Sequence, residues 1–159
     1  MTLNLENAKE AGAKRVFCYC VGCAHLGKGF FSTGEIAVTY FLDILLDKMG
    51  KMDLWLEQRV GYFEGCHKML TTYAPGVKFN WSAYRELLRR IKGLEAIDLD
   101  HRICCYERPD LIVDNAQKHN LNTIVCSCIG CCPPIRAAAG EEIQVKYLPA
   151  ILQEALGAE

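Results

Sequence analysis

The sequence predicts an α/β protein: Rossmann-like parallel sheets with flanking helices, in two repeat-related lobes of which the first is incomplete. Three observations predict it. The cysteine cassette CxCxGC occurs twice, as Cys18–Cys23 and as Cys126–Cys131. The residues around the two copies follow one order, which marks an internal repeat. Between them, strand-like and helix-like patterns alternate, as in a mainly parallel sheet.

Each repeat opens on a short helix. Asn7-Ala8-Lys9-Glu10-Ala11-Gly12 precedes the first cassette and Asn115-Ala116-Gln117-Lys118-His119-Asn120 the second. Gly12 and Asn120 are residues that stop helices in the left-handed conformation. A buried strand follows in each, Val16-Phe17 and Ile124-Val125, and delivers the cassette at its carboxyl end. Beyond Gly34 and Gly140 a very short strand runs into an amphipathic helix, at Ile36–Leu45 and Ile143–Leu152. Residues 2–50 and 110–157 are therefore two copies of one helix–strand–cassette–strand–helix unit. The stripe Val38, Phe41, Leu42, Leu45, Leu46 and Met49 reads as core.

The middle differs. Arg59-Val60-Gly61-Tyr62-Phe63 predicts a strand ending near Cys66. Trp81, Tyr84, Leu87, Leu88 and Ile91 predict the buried face of a helix, and Leu94–Leu99 alternates as a strand before Cys104-Cys105. Residues 1–56 are read as a half unit and 57–159 as a complete domain. Chemistry in such sheets collects at the carboxyl ends of strands. Cys20, Cys66, Cys104 and Cys128 each follow a predicted strand, so they are expected on one edge.

Bulk properties narrow the function. At 159 residues the chain can bury one proper core. A net charge of −1 gives no reason to expect nucleic acid or an anionic membrane as partner. Asp43, Asp47 and Lys48 interrupt the most apolar region, so no membrane span is expected. The polar N-terminal stretch lacks the pattern of a signal peptide. Ten cysteines in such a chain point to a reducing cytoplasm, with thiols that bind metal or are redox-active.

The order Cys66, then Cys104-Cys105, then Cys128-x-x-Cys131 carries the chemistry. A CxxC turn brings two sulfurs to one metal or cluster, adjacent cysteines point apart and suit an extended cluster, and five thiolates exceed one tetrahedral zinc. At these residues the chain resembles the cysteine-rich CCG domain family, found in the cysteine-rich subunit of heterodisulfide reductase and in iron–sulfur subunits of glycolate and lactate oxidases. Val60–His67 and Tyr84–Glu95 resemble the family's strand-to-Cys-His turn and its helix and following strand. The glycine that gives the motif its name is Tyr106 here, and the span from the double cysteine to the CxxC is short.

The resemblance implies a [4Fe–4S] cluster, possibly noncubane, held by Cys66, Cys104, Cys105, Cys128 and Cys131. It implies an iron–sulfur oxidoreductase subunit acting in, or relaying electrons for, disulfide/thiol redox. The alternative is a non-catalytic module in which four of these thiols hold Zn²⁺. A third reading is a metal-free thiol–disulfide protein using Cys20 and Cys23. These two form a half-site with no C…CC partner in the chain: a relic, a dithiol, or a site another chain completes. Expected partners are other redox subunits, a second copy, or a small thiol or disulfide.

Cys18 and Cys126 read as core or supporting thiols and Cys132 as an exchange ligand. His67 is expected to donate to sulfur, and His25 to be an ordinary partly exposed histidine. Arg102 and Arg108 flank the double cysteine, as counter-charges to a cluster or as solvated surface arginines.

Overall fold

The computed structural model describes residues 2–30, 35–49, 52–65 and 76–157. Its first unit runs through α1 (Thr2–Glu10), β1 (Arg15–Cys18), α2 (Val21–Phe30), β2 (Ala37–Tyr40) and α3 (Phe41–Met49). The middle supplies β3 (Trp55–Phe63), α4 (Trp81–Arg89) and β4 (Lys92–Asp98). The last part holds α5 (Pro109–Lys118), β5 (Thr123–Cys126), a 3₁₀ turn (Ile129–Cys131), α6 (Cys132–Ala139), β6 (Gln144–Tyr147) and α7 (Leu148–Ala155).

All strand pairs are parallel. β1 and β2 form one sheet, and a second sheet runs β4-β3-β5-β6. The α/β class with flanking helices is as expected. β5 is buried at every residue, and β3 is buried from Val60 to Phe63, because each lies inside its sheet beneath helices. Tyr62, Phe63, Ile112, Ile124, Ile135 and Ile151 meet in the core.

The repeat is visible in the backbone. Gly12 and Asn120 end α1 and α5 with φ of +74° and +55°. The registers match: Arg15–Cys18 against Ala37–Tyr40, and Thr123–Cys126 against Gln144–Tyr147. One part of each unit departs from the sequence reading, since a helix, α2 or α6, separates the cassette from the second strand. Pro133 and Pro134 sit at the start of α6, where a missing N–H costs no hydrogen bond.

The two units face each other reciprocally. The Tyr40 hydroxyl donates to the carbonyl of Ser127, and the Tyr147 hydroxyl donates to the carbonyl of Tyr19 at 3.1 Å. Tyr40 and Tyr147 are equivalent in the repeat, as are Tyr19 and Ser127. Contacts of this i-to-j, j-to-i kind are the signature of a two-fold relationship.

β5 is flanked by β6 on one side and by β3 and β4 on the other, whereas β1 pairs with β2 alone among the described strands. No described helix is long and apolar enough to cross a membrane.

Candidate functional site

Each cassette sits where a strand gives way to a helix, so its cysteines gather at the carboxyl ends of β1 and β5; β5 is buried, whereas β1, expected to be buried, is exposed at Arg15 and Phe17. The local two-fold brings the two sets together. A Cβ built on Gly130 would stand 3.6 Å from the sulfur of Cys128 and 3.7 Å from that of Cys20. A Cβ built on the equivalent Gly22 would stand 3.6 Å from the sulfur of Cys20. Both turns therefore run beside these sulfurs, at ordinary van der Waals distance for a Cβ.

The thiols touch in sequence. Cys23, which is exposed, contacts Cys20 through both its backbone and its side chain. Cys20 and Cys128 influence each other's acidity, as do Cys128 and Cys131. Cys131 shares a sulfur–sulfur hydrogen bond with Cys105 at 3.2 Å. Cys128, Cys131 and Cys105 are all buried, so the line runs from solvent at Cys23 into the protein. A separate pair lies beneath it: Cys126 is hydrogen-bonded to Cys132, whose sulfur also reaches the carbonyl of Cys128 at 3.8 Å.

These contacts divide the thiols by acidity. The hydrogen bond from Cys131 holds Cys105 below the usual thiol range, against the opposing effect of burial. Cys132 is lowered in the same way by Cys126, with help from Arg136. The donors move oppositely: Cys131 is pushed up by Cys105 and Cys128, Cys126 by Cys132, and Cys20 by Cys128. Burial raises Cys18. Thiolate character is therefore concentrated on Cys105 and Cys132.

Of the five expected ligands, Cys105, Cys128 and Cys131 come together, joined by Cys20 from the half-site. Cys104 is half-buried next to them in sequence. Cys66 and His67 lie outside the described residues. Cys18 and Cys126 are buried, as core thiols should be. Arg102 and Arg108 are surface arginines, bound to Asp100 at 2.8 Å and to Asp110 at 2.7 Å. His25 departs from expectation. It is 2 % exposed, stacks on Phe79, and its Nε2 has no hydrogen-bond partner among the described residues.

Sequence reasoning missed a charged cluster beside the cassette. Buried Glu64 lies 3.3 Å from Arg85, its backbone N–H donates to Nδ1 of His101, and Arg85 also pairs with Asp98 at 3.0 Å. The Ser127 hydroxyl donates to the Glu64 carbonyl at 2.8 Å, which ties the cluster to the second cassette. Arg85, Asp98, Asp100, His101, Arg102 and Asn115 line an open cleft of about 570 Å³ here. Its arginines are matched by its aspartates, so it offers no uncompensated charge.

No protein-family model matches the chain, and no curated protein matches it. Among solved structures, the chain is similar to a glutamate racemase isoform from Bacillus anthracis at 11 % identity and a TM-score of 0.40. The likeness covers 96 % of this chain and 60 % of that one. It is also similar to an aspartate racemase homologue from Pyrococcus horikoshii, at 12 % identity and a TM-score of 0.38, over 95 % and 68 % of the two chains. At these values nothing about activity passes to this chain.

These findings correct two expectations. The resemblance to the CCG domains of heterodisulfide reductase is not sustained: no family model matches the chain. The iron–sulfur oxidoreductase function it implied is corrected with it. Among the described residues no group of three or more His, Cys, Asp or Glu is placed to hold a metal ion. The thiols contact one another pairwise along a line instead of surrounding a point. Cys105 and Cys131 are 3.2 Å apart, whereas two thiolates on one zinc stand about 3.8 Å apart.

Proposed function

We propose that the chain is a thiol–disulfide exchange protein whose own cysteines do the chemistry. The observation that carries this reading is the run of neighbouring thiols from exposed Cys23 through Cys20, Cys128 and Cys131, which influence one another electrostatically, to Cys105, 3.2 Å from Cys131. Exchange needs a thiolate beside a disulfide sulfur, and each member of this line lies beside the next.

The sequence of steps follows from the contacts. Cys23 attacks a substrate disulfide, breaking its S–S bond and forming a mixed disulfide. Cys20 attacks the Cys23 sulfur and releases the second substrate thiol. The disulfide then passes inward as Cys128 attacks Cys20, Cys131 attacks Cys128, and Cys105 attacks Cys131. The substrate disulfide ends as two thiols, and Cys105–Cys131 ends oxidised by two electrons. Cys105 suits the last step because its hydrogen bond from Cys131 favours the thiolate. Burial of both sulfurs shields the final disulfide from solvent thiols.

The test is stoichiometric. Reduced, anaerobic protein treated with one equivalent of oxidised glutathione should lose two thiols and release two of glutathione. Cys23→Ser should slow this by about 100-fold, by removing the only exposed thiol among the described residues. Unchanged oxidation of Cys23→Ser, or stoichiometric iron or zinc in the anaerobically purified protein, contradicts the reading.

A further inference from the structure

The internal repeat gives a direct comparison for the open side of β1. In the second unit the corresponding side of β5 is covered by β3, with Gly61, Tyr62 and Phe63 against Ile124, Val125 and Cys126. The Ser127 N–H donates to the Phe63 carbonyl at 3.2 Å, and Cys131 meets Cys105. In the first unit three equivalents on this side are uncovered. Val125 is fully buried, but its equivalent Phe17 is 48 % exposed. Ser127 is fully buried, but Tyr19 is 50 % exposed. Cys131 is buried, but Cys23 is exposed.

Among the described residues no strand pairs with the backbone on that side. Ala37 N–H donates to the Lys14 carbonyl at 3.0 Å, as Gln144 N–H does to Asn122 at 2.8 Å. Alternation along a parallel ladder then turns Val16 and Cys18 toward β2 and turns the N–H and C=O of Phe17 outward. An outward row of this kind is a template for one more strand.

We propose that the open edge of β1 docks a protein partner, which adds one strand parallel to Val16–Cys18 and delivers a disulfide sulfur to Cys23. The occupant is a separate polypeptide with an extended apolar segment followed by a cysteine in a disulfide. The second unit shows the two parts of the fit on separate segments: β3 lies against β5, and the Cys105 sulfur, from the loop after β4, lies against Cys131. A second copy cannot offer the same elements. Its β3 is already paired on both edges, by β4 and β5, and its Cys105 is engaged by Cys131. Strand addition supplies affinity through the main chain and selectivity through the side chains it seats. The chemistry rests on the exchange reading above. Cys23 attacks the near sulfur, the far sulfur leaves as a thiolate that takes a proton from water, and attack by Cys20 frees the near one. The partner gains two electrons and the Cys20–Cys23 pair loses them.

A defined peptide tests this with the whole chain. The probe copies residues 58–66, Gln-Arg-Val-Gly-Tyr-Phe-Glu-Gly-Cys, with its cysteine as the mixed disulfide of thionitrobenzoate. Its cysteine lies three residues past the pairing segment, a reach of about 10 Å. Its reaction with Cys23 releases a coloured thiol. The ordered peptide should modify Cys23 about 10-fold faster than a scrambled one of the same composition. Phe17→Pro, which removes the outward N–H and leaves the ladder to β2 intact, should abolish that preference. Phe17→Val, which keeps the N–H, should retain it. Neither variant should change the rate with oxidised glutathione.

Equal rates for the two peptides, or an undiminished preference in Phe17→Pro, overturn the proposal. So does a native mass showing a dimer in which Cys23 is unreactive, because a second copy then holds the edge. If the peptides are equal while oxidised glutathione still oxidises the inner pair, docking fails and exchange stands. If Cys23 reacts with neither peptide nor glutathione, both fail.

Discussion

The Tyr40 hydroxyl donates to the carbonyl of Ser127, which joins the end of β2 in the first unit to the cassette of the second. Its mirror contact, Tyr147 to Tyr19, closes the other side at 3.1 Å. Between the two pairs lie Cys20 and Cys128. The tyrosines therefore set the distance across which the two cassettes meet.

Tyr40→Phe and Tyr147→Phe should differ in cost. Tyr40 is fully buried, so its loss strands a polar carbonyl in the core at about 1–3 kcal/mol. The Tyr147 bond is exposed to water, which can replace it, so about 0.5–1.5 kcal/mol is expected there. Urea denaturation under reducing conditions measures both. A larger loss in Tyr147→Phe would speak against this account of the interface.

Cys105 should be alkylated by iodoacetamide with a midpoint below that of an ordinary thiol, because Cys131 donates to its thiolate. In Cys131→Ala the donor is gone, so the Cys105 midpoint should move to higher pH. Mass-spectrometric tracking of Cys105 alkylation against pH reads this directly. An unmoved midpoint removes the hydrogen bond as the cause.

Stability should fall on the alkaline side. Cys18, Cys20, Cys126 and Cys131 are raised above 9.0, and Tyr40, Tyr62, Tyr84 and Tyr147 above 10.0. An acid whose folded pKa is raised contributes stability fully present below its unfolded pKa and lost as pH rises toward the folded value. Cys105 and Cys132, held low, have the opposite sign, but they are two against eight. Thermal melts in reductant should show Tm lower at pH 10 than at pH 7.5 by about 5 °C or more. A flat or rising Tm contradicts the assignment.

Gly61→Ala should destabilise the sheet next to the site. A Cβ there would stand 2.9 Å from Leu99 Cδ1, and Leu99 is 2 % exposed, so it has no free space to enter. Overpacking of this kind costs about 1–3 kcal/mol. In a Leu99→Ala background the same change should cost less, by about 1 kcal/mol or more. Denaturant melts of the four proteins in the cycle decide it, and additive costs would contradict the contact.

The repeat made most of the fold legible. Gly12 and Asn120, the strands before each cassette, and the helix faced by Tyr84, Leu87 and Leu88 all fall where pattern alone places them, though β1 is exposed at Phe17 where the pattern predicts burial. Helices α2 and α6 were not legible. α2 carries Gly22, Gly27 and Gly29, and α6 begins on two prolines, so both look like loops by propensity. Sequence also ranks Cys20 with Cys128 as equivalents without saying that they touch. That contact depends on how one unit packs on the other. The matching positions of Tyr40 and Tyr147 were the available signal for it. Cysteine order alone suggested a cage of five thiols; of these, Cys105, Cys128 and Cys131 come together among the described residues, joined by Cys20.

The central claim is that an electron pair taken from Cys105 and Cys131 leaves through Cys20 and Cys23. The direct measurement is disulfide mapping after one equivalent of oxidised glutathione, quenched with acid, in the native protein and in Cys20→Ser. The account predicts a Cys105–Cys131 disulfide in the native protein, and in Cys20→Ser a glutathione adduct held on Cys23 with Cys105 and Cys131 still reduced. A Cys105–Cys131 disulfide that forms equally well in Cys20→Ser would contradict it.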